Sequence, residues 1–551
     1  MVGEWEGGTM HHVANVYEII TDAVPGAAAL VHGGVTRTWA EYDDRAARLA
    51  NVFAKQGLNP DSKIAICAYN SNEYLEAQYA AFKMRGVPIN VNYRYFESEL
   101  IYLFDNADVE ALVYQAHFAD RIAAICEKLP KLKLLIEIDD GTGGHIDGAL
   151  PYEDAIAGTA PMSRIERSAD DIYMLYTGGT TGMPKGVMYR HGDFTEGLKL
   201  VYDIRGLPRA ETAEALAGTV KQLIELGAAP RTLPACPLMH GTGMWLGAMA
   251  AHSLGGAAVT IPNMHFDPHI LWQTVEDKKV TDMAIVGDAF AKPMLSALEA
   301  GKVGGGKYDL SSLVLLISSG VMFTTEVKRG LLEFGDFTII DTMGSTEGGM
   351  GSSSMNRQTP ESKTAKFEMN ETTKVFTEDG REVEPGSGEI GMVASGGMTP
   401  IGYFKDPEKS AATFREVGGA RYSFPGDFAK VEADGTLVLL GRGSQCINTG
   451  GEKVFPEEVE EAVKSHPSIY DCLVVGIPDD RFGERVTAVL SFKDSENQIT
   501  EPELIDWMHG KIAGFKIPRA IVTVATVQRA ANGKADYKWA KQAAIEYLKT
   551  G

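Results

Sequence analysis

The stretch Tyr176-Thr-Gly-Gly-Thr-Thr-Gly-Met-Pro-Lys-Gly186 holds the residue types that most directly imply chemistry. Glycines let backbone N–H groups approach an anion closely, threonine hydroxyls add donors, and Lys185 adds a positive charge. Thr177, Gly178, Gly179, Thr180, Thr181, Gly182 and Lys185 thus form a loop suited to polyphosphate. It is not a Walker loop, because Lys185 follows Pro184 and no Ser or Thr succeeds it. A P-loop kinase or GTPase is therefore disfavoured. Composition alone would equally describe a flexible surface loop, but the full ordered string argues against that.

Such a loop needs rigid elements to carry it, and the apolar run at residues 172–175 leads directly into it. From Thr38 onward Tyr42, Ala46, Leu49 and Phe53 recur at helical spacing, which predicts one face of an amphipathic helix. Residues 63–69, 87–91 and 111–114 read as short strands and residues 72–85 as a helix. That alternation predicts an α/β fold with parallel-rich sheets flanked by helices, and residues 284–287 and 313–318 repeat the pattern. Composition shifts after Asp427, where residues 431–440 carry the turn Ala433-Asp434-Gly435 between strand-like halves. The expected organisation is a large N-terminal domain over residues 1–441, a hinge at 442–444 and a small α+β domain over 445–551. Within the small domain residues 457–464 and 503–511 read as helices and 472–476 as a strand.

The 551 residues, 44% of them hydrophobic, can bury a large core in roughly two to four domains. A formal charge of -22 disfavours a nucleic-acid-binding surface and requires any phosphate-binding cation to be placed locally. Cys67, Cys126, Cys236, Cys446 and Cys472 lack C-x-x-C spacing, which fits a reducing cytoplasm. No run approaches the ~18 apolar residues of a membrane span. Residues 1–10 lack a signal-peptide pattern and read as unstructured, with Met10 an alternative first residue.

The loop string resembles the phosphate-binding signature of the adenylate-forming superfamily, which includes acyl-CoA synthetases, luciferases and peptide-synthetase adenylation domains. The similarity covers nearly the whole chain. Arg190-His191, Met239-His240-Gly241 and Cys446-Ile-Asn-Thr-Gly-Gly-Glu-Lys453 are most similar to bacterial long-chain and steroid side-chain acyl-CoA synthetases. The resemblance implies ATP, Mg2+ and coenzyme A as cofactor and co-substrates, and a homodimer is compatible with it. Asp341-Thr342-Met343-Gly344-Ser345-Thr346-Glu347 resembles the second core motif, in which Thr346 contacts the α-phosphate and Glu347 binds the metal. A hard oxygen ligand suits Mg2+. Met343 stands where relatives usually carry an aromatic that stacks on adenine. Ser319 and Gly320 are similar to the adenine-side loop, Asp427 to the ribose-binding aspartate, and Arg442 to a nucleotide-contacting arginine. Ser444 falls at the hinge, and Gly450 and Gly451 at the pantetheine tunnel. Lys534, in Arg529-Ala-Ala-Asn-Gly-Lys534, matches the lysine that bridges the acid carboxylate and the α-phosphate. The small domain of relatives rotates between the two half-reactions, and the resemblance implies the same here.

By position in the family pattern His240, Met244, Trp245, Gly287, Asp288, Ser319 and Gly344 would wall the acyl pocket, with His240 a gate that positions the acid. The set holds no Lys or Arg, which suits a medium or long, branched, steroid side-chain or arylalkanoic acid. Asp288 is its discordant member, able instead to bond the backbone or a substrate hydroxyl. Two alternatives are an acyl-AMP ligase that serves a carrier protein and a non-catalytic acyl-binding protein. The joint presence of Lys185, Glu347, Asp427, Arg442 and Lys534 argues against the second.

Overall fold

The computed structural model describes residues 9–178, 183–360, 366–449, 452–479, 482–494, 498–509, 511–530 and 533–550. Helix Trp39–Lys55 buries Trp39, Tyr42, Ala46, Leu49 and Phe53, the spacing read from the sequence. Thr38 starts it with a capping box: Thr38 N donates to Glu41 Oε2 (2.7 Å) and Glu41 N to Thr38 Oγ1 (3.2 Å). Strand Lys63–Cys67 is buried at every residue, as a central parallel strand covered on both faces should be. It sits in a parallel sheet ordered Val87–Asn90, Lys63–Cys67, Val109–Gln115, Leu134–Ile138 and Leu150–Pro151.

A second sheet positions most of the site. Its parallel part runs Ala257–Thr260, Arg231–Pro234, Asp282–Ile285, Leu315–Ser319, Thr338–Ser345. Gly348–Met355 then pairs antiparallel, and the sheet continues through further antiparallel strands to Leu437–Arg442 and Asp427–Val431. The parallel pattern read from the sequence therefore covers only part of this sheet. A small third sheet joins Ile172–Thr177, Lys185–Arg190 and Gly402–Tyr403. Thr177 lies opposite Lys185, so Ile172–Thr177 and Lys185–Arg190 pair as the two antiparallel arms of a hairpin.

Beyond residue 446 the chain builds its own layers: the hairpin Ile469–Asp479 and Gly483–Phe492, strand Ala520–Thr523, and helices Pro456–Lys464, Glu501–Met508 and Tyr537–Thr550. Two apolar clusters here, one around Val459, Val474 and Leu490 and one around Leu473, Val489 and Ala540, draw only on residues past 446. Polar contacts tie these layers to the rest, including Lys292 Nζ to Tyr470 O (2.5 Å) and Lys493 to Glu326 (3.6 Å). Glu457 packs its carboxyl against Gly441, where any side chain would collide with it. Among the described residues no helix is long and apolar enough to cross a membrane.

Candidate active site

The C-terminal ends of Leu315–Ser319 and Thr338–Ser345 open onto a cavity of about 380 Å³. Ser319 Oγ donates to Thr342 O (3.0 Å) and Thr342 Oγ1 to Ser318 O (2.9 Å), which locks the two strand ends together. Thr177, Gly178, Ser319, Gly320, Thr342, Met343, Gly344, Thr346 and Lys534 all line this end. The Lys534 side chain passes over Gly320, its Cε 3.7 Å from where a Cβ would stand. Burial and the Arg442 guanidinium lower the Lys534 ammonium below the usual lysine range, while Glu347 and Asp427 oppose that shift. Four charges from distant segments therefore share one electrostatic neighbourhood.

Each of these charges is held by its neighbours. Asp427 and Arg442 face each other in register on adjacent strands and are joined by Arg442 Nε donating to Asp427 Oδ1 at 3.3 Å. Glu347 Oε1 accepts from the Tyr403 hydroxyl (2.8 Å), and the Lys185 ammonium lies 5.4 Å from the Tyr403 ring centre and 3.6 Å from Asp406. Tyr189 donates to Thr346 O (2.9 Å), tying strand Lys185–Arg190 to the segment that follows Thr338–Ser345. The turn carrying Lys534 is pinned by Arg529, which pairs with Asp471 (2.6 and 2.7 Å) and donates to Gly533 O (3.2 Å). Gly533 has φ +75°, and a Cβ there would sit 2.8 Å from Ala289, so glycine is required for the turn to close.

From Lys534 the cavity continues along the sheet. Leu315, Ile317 and Ser319 alternate onto its wall, and those four residue steps span about 13 Å. The facing wall is Thr242–Met249, a π-helix, a wide-turn form that occurs often at functional sites. It and its flanks present His240, Gly241, Trp245, Leu246, Ala250 and Ala251 to the cavity. The short helices His191–Leu198 and Leu200–Ile204 contribute Phe194, Leu198, Val201 and Ile204. Trp245 Nε1 donates to the Tyr173 hydroxyl (2.8 Å), which leaves the indole face as apolar wall.

His240 is carried by a loop that two asparagines clamp. Asn90 Nδ2 donates to Tyr176 O (2.8 Å) and Met239 O (2.7 Å), and Asn90 Oδ1 accepts from Tyr176 N (2.7 Å). Asn70 Nδ2 donates to Cys236 O (3.0 Å), and its Oδ1 accepts from Leu238 N (2.7 Å). Burial, then the charges of Lys534 and Arg94, push His240 down to about 3. Its imidazole is thus neutral, with Nε2 buried and lacking a partner among the described residues.

Four expected site residues lie elsewhere. Asp341 is buried beneath the strand end in an ion pair with Lys328 (2.7 Å), its carboxyl raised to about 6 by burial, so it braces the motif and does not line the cavity. Met244 points into the main core, because the π-helix turns its neighbours Trp245 and Leu246 to the cavity instead. Gly287 is a close-approach glycine: a Cβ would stand 2.4 Å from Met322 O. Asp288 accepts from Thr324 N (2.9 Å) and Thr324 Oγ1 (3.1 Å) and pairs with Lys292 (3.5 Å), which fixes the entry to helix Thr325–Leu332. Glu347, Asp427, Arg442 and Lys185 stand beside the Lys534 end rather than in the cavity wall. Ser444 is in the 3₁₀ turn Gly443–Gln445. Gly179, Thr180, Thr181, Gly182, Gly450 and Gly451 lie outside the described residues.

Asn70, Asn90, Tyr189 and Tyr403 carry no signal as single residues. The asparagines do end predicted strands, where ligand sites of open α/β sheets gather, and Tyr403 precedes the helix-start pair Asp406-Pro407.

This chain belongs to the AMP-binding enzyme family: the family model so described matches residues 20–403, and the AMP-binding enzyme C-terminal domain matches residues 458–534. Among curated relatives it is 44% identical to a 3-oxocholest-4-en-26-oate--CoA ligase from Rhodococcus rhodochrous, over 96% of this chain and 95% of that one. It is 39% identical, over 97% of both chains, to a medium/long-chain-fatty-acid--CoA/3-oxocholest-4-en-26-oate--CoA ligase from Mycolicibacterium smegmatis. Among solved structures it matches ATP-bound MatB from Rhodopseudomonas palustris with a TM-score of 0.80 and 25% identity, covering 97% and 99% of the two chains. The fold is also that of the anthranilate CoA ligase AuaEII, at a TM-score of 0.83 and 22% identity over 98% of each chain.

Proposed function

We propose that the protein is an ATP-dependent acid:CoA ligase for hydrophobic carboxylic acids with long or ring-bearing tails, including steroid side-chain acids. The observation that carries this is the continuity of one cavity, with Lys534 at one end and an apolar slot along Leu315–Ser319 leading away from it. A carboxylate beside Lys534 would attack the α-phosphorus of ATP with loss of pyrophosphate, and the CoA thiol would then displace AMP from the acyl carbon. The ammonium offsets the charge that gathers on the phosphoryl oxygens. In this reading Ser319, Gly320, Thr342 and Met343 border the adenine, Asp427 receives the ribose hydroxyls, and Lys185 with its loop holds the outer phosphates. Among the described residues no three His, Cys, Asp or Glu side chains converge. Mg2+ held at Glu347 would therefore take its other ligands from phosphate and water, the usual donor set for that ion.

The domain division at 441–445 and a turn of the small domain between half-reactions belong to the same reading, supported by the separate apolar clusters past residue 446. So does a cytoplasmic location, supported by five unpaired cysteines. The test is CoA-dependent AMP and pyrophosphate release across acetate, octanoate, palmitate, a phenylpropionate and a steroid side-chain acid. The long and ring-bearing acids should exceed acetate by orders of magnitude in kcat/KM, since each buried methylene is worth about 0.8 kcal/mol. A preference for acetate or for an amino acid overturns the substrate reading.

A further inference from the structure

The cavity is not apolar to its end. Arg205, next after helix Leu200–Ile204, lines it together with Asp282 and Thr232. In the sheet Thr232 pairs with Asp282 and Asp282 with Leu315, so this polar group sits at the level of Leu315. Ser319, at the Lys534 end, is about 13 Å away along the strand. A charged pair at the foot of an apolar slot is costly to bury unless its hydrogen bonds are complete. Here they are not. Both carboxylate oxygens of Asp282 are used, Oδ1 by Arg205 Nη2 (2.5 Å) and Oδ2 by the Thr281 hydroxyl (2.6 Å). Arg205 Nε is buried and has no hydrogen-bond partner among the described residues.

We propose that Arg205 determines specificity for the end of the acid remote from its carboxylate, donating a hydrogen bond to an acceptor oxygen there such as a ring ketone. A guanidinium carries donors only, so an acceptor completes it and a terminal methyl group leaves it unpaired. The inference rests on the acyl reading of the cavity and extends it. An acid that spans from Lys534 to the level of Leu315 and ends in an oxygen satisfies both ends, whereas a plain alkyl chain satisfies one. Asp282 holds the guanidinium in place, and Thr281 holds Asp282.

The experiment compares kcat/KM for a steroid side-chain acid bearing a ring ketone with that for the same acid lacking the ring oxygen. The enzymes are the unaltered protein, D282N, and the double variant R205M/D282N, which leaves no unpaired buried carboxylate. All three are first checked for matching circular dichroism and melting. The unaltered protein should favour the ketone by about tenfold or more, as sites built to hydrogen-bond a substrate do. D282N should keep most of that ratio, and R205M/D282N should bring it close to one, chiefly through KM of the ketone acid. Equal loss for both acids in the double variant would make Arg205–Asp282 a purely structural pair and overturn the inference, as would the absence of a preference in the unaltered protein. Turnover of palmitate with neither steroid acid accepted would overturn it while leaving the ligase function standing. Failure to activate any acid would remove the proposed function itself.

Discussion

The two ends of the cavity are built differently. At the Lys534 end charged side chains and backbone carbonyls are cross-braced: Glu347 by Tyr403, the Thr346 carbonyl by Tyr189, Asp427 by Arg442, and the Gly533 carbonyl beside Lys534 by Arg529. At the other end the wall is largely methyl, indole and phenyl surface from one π-helix and two short helices, with Arg205, Asp282 and Thr232 as a polar group at the level of Leu315. Bond-making needs charges fixed in direction to within a fraction of an ångström, whereas apolar recognition needs volume and tolerates adjustment. The first end should therefore respond to substitutions in rate, and the second in choice of acid.

The largest expected effect tests the first half of that contrast. Lys534→Ala should cut acid-dependent pyrophosphate exchange by roughly 10²- to 10³-fold. Thioester formation from preformed acyl-AMP should stay within a few-fold. If both half-reactions fall alike, Lys534 does not belong to adenylation alone. At the other end Ala250→Phe should shorten the slot. Excluding three methylenes costs about 2.4 kcal/mol, so palmitate should lose roughly 50-fold in kcat/KM. Octanoate should change little, and a uniform fall for both chain lengths would remove Ala250 from the acyl wall.

Asn90→Ala tests the seam between the ends, since Asn90 ties the phosphate hairpin to the His240 loop. Losing three hydrogen bonds at a half-buried site should lower stability by about 1–3 kcal/mol. It should slow long and short acids alike, roughly tenfold, and a change in chain-length preference instead would assign Asn90 to selectivity.

The smallest effect concerns pH. Burial, then the charge of Glu460, raises Glu457 to about 8 while its carboxyl packs against Gly441. If the small domain swings away, that carboxyl regains water and its ordinary value. The packed arrangement then holds the proton more tightly, so it is favoured fully below the ordinary carboxylate range and progressively loses that advantage as pH rises toward 8. Glu457→Gln should flatten the pH dependence of adenylation between about 5 and 8 by a few-fold. An unchanged profile would detach Glu457 from domain packing.

The contrast also explains what was legible in the sequence. The hairpin loop, Thr346, Glu347, Asp427, Arg442 and Lys534 lie in short contiguous strings whose composition signals anion handling, and the structure places all of those it describes around one end of the cavity. The helix at Trp39–Lys55 and the strands from Lys63 onward were readable because burial repeats at fixed spacing. The apolar wall of the cavity was not readable in the same way. Its residues come from segments scattered between Leu175 and Met398, and which side chain faces inward depends on a π-helix that has no signature in composition. The error at Met244 beside Trp245 follows from that widened turn. Gly287 and Asp288 misled for another reason, since a glycine and an acid that start a helix look the same whether they serve a ligand or the backbone.

In the order of synthesis the cavity opens at Leu175 and is completed only at Lys534. Because domains fold as they emerge, N-terminal parts first, the greasy slot is assembled well before its polar end receives the lysine. On the proposed reading, a nascent chain halted before residue 533 would carry the apolar slot without the lysine that is to activate its acid.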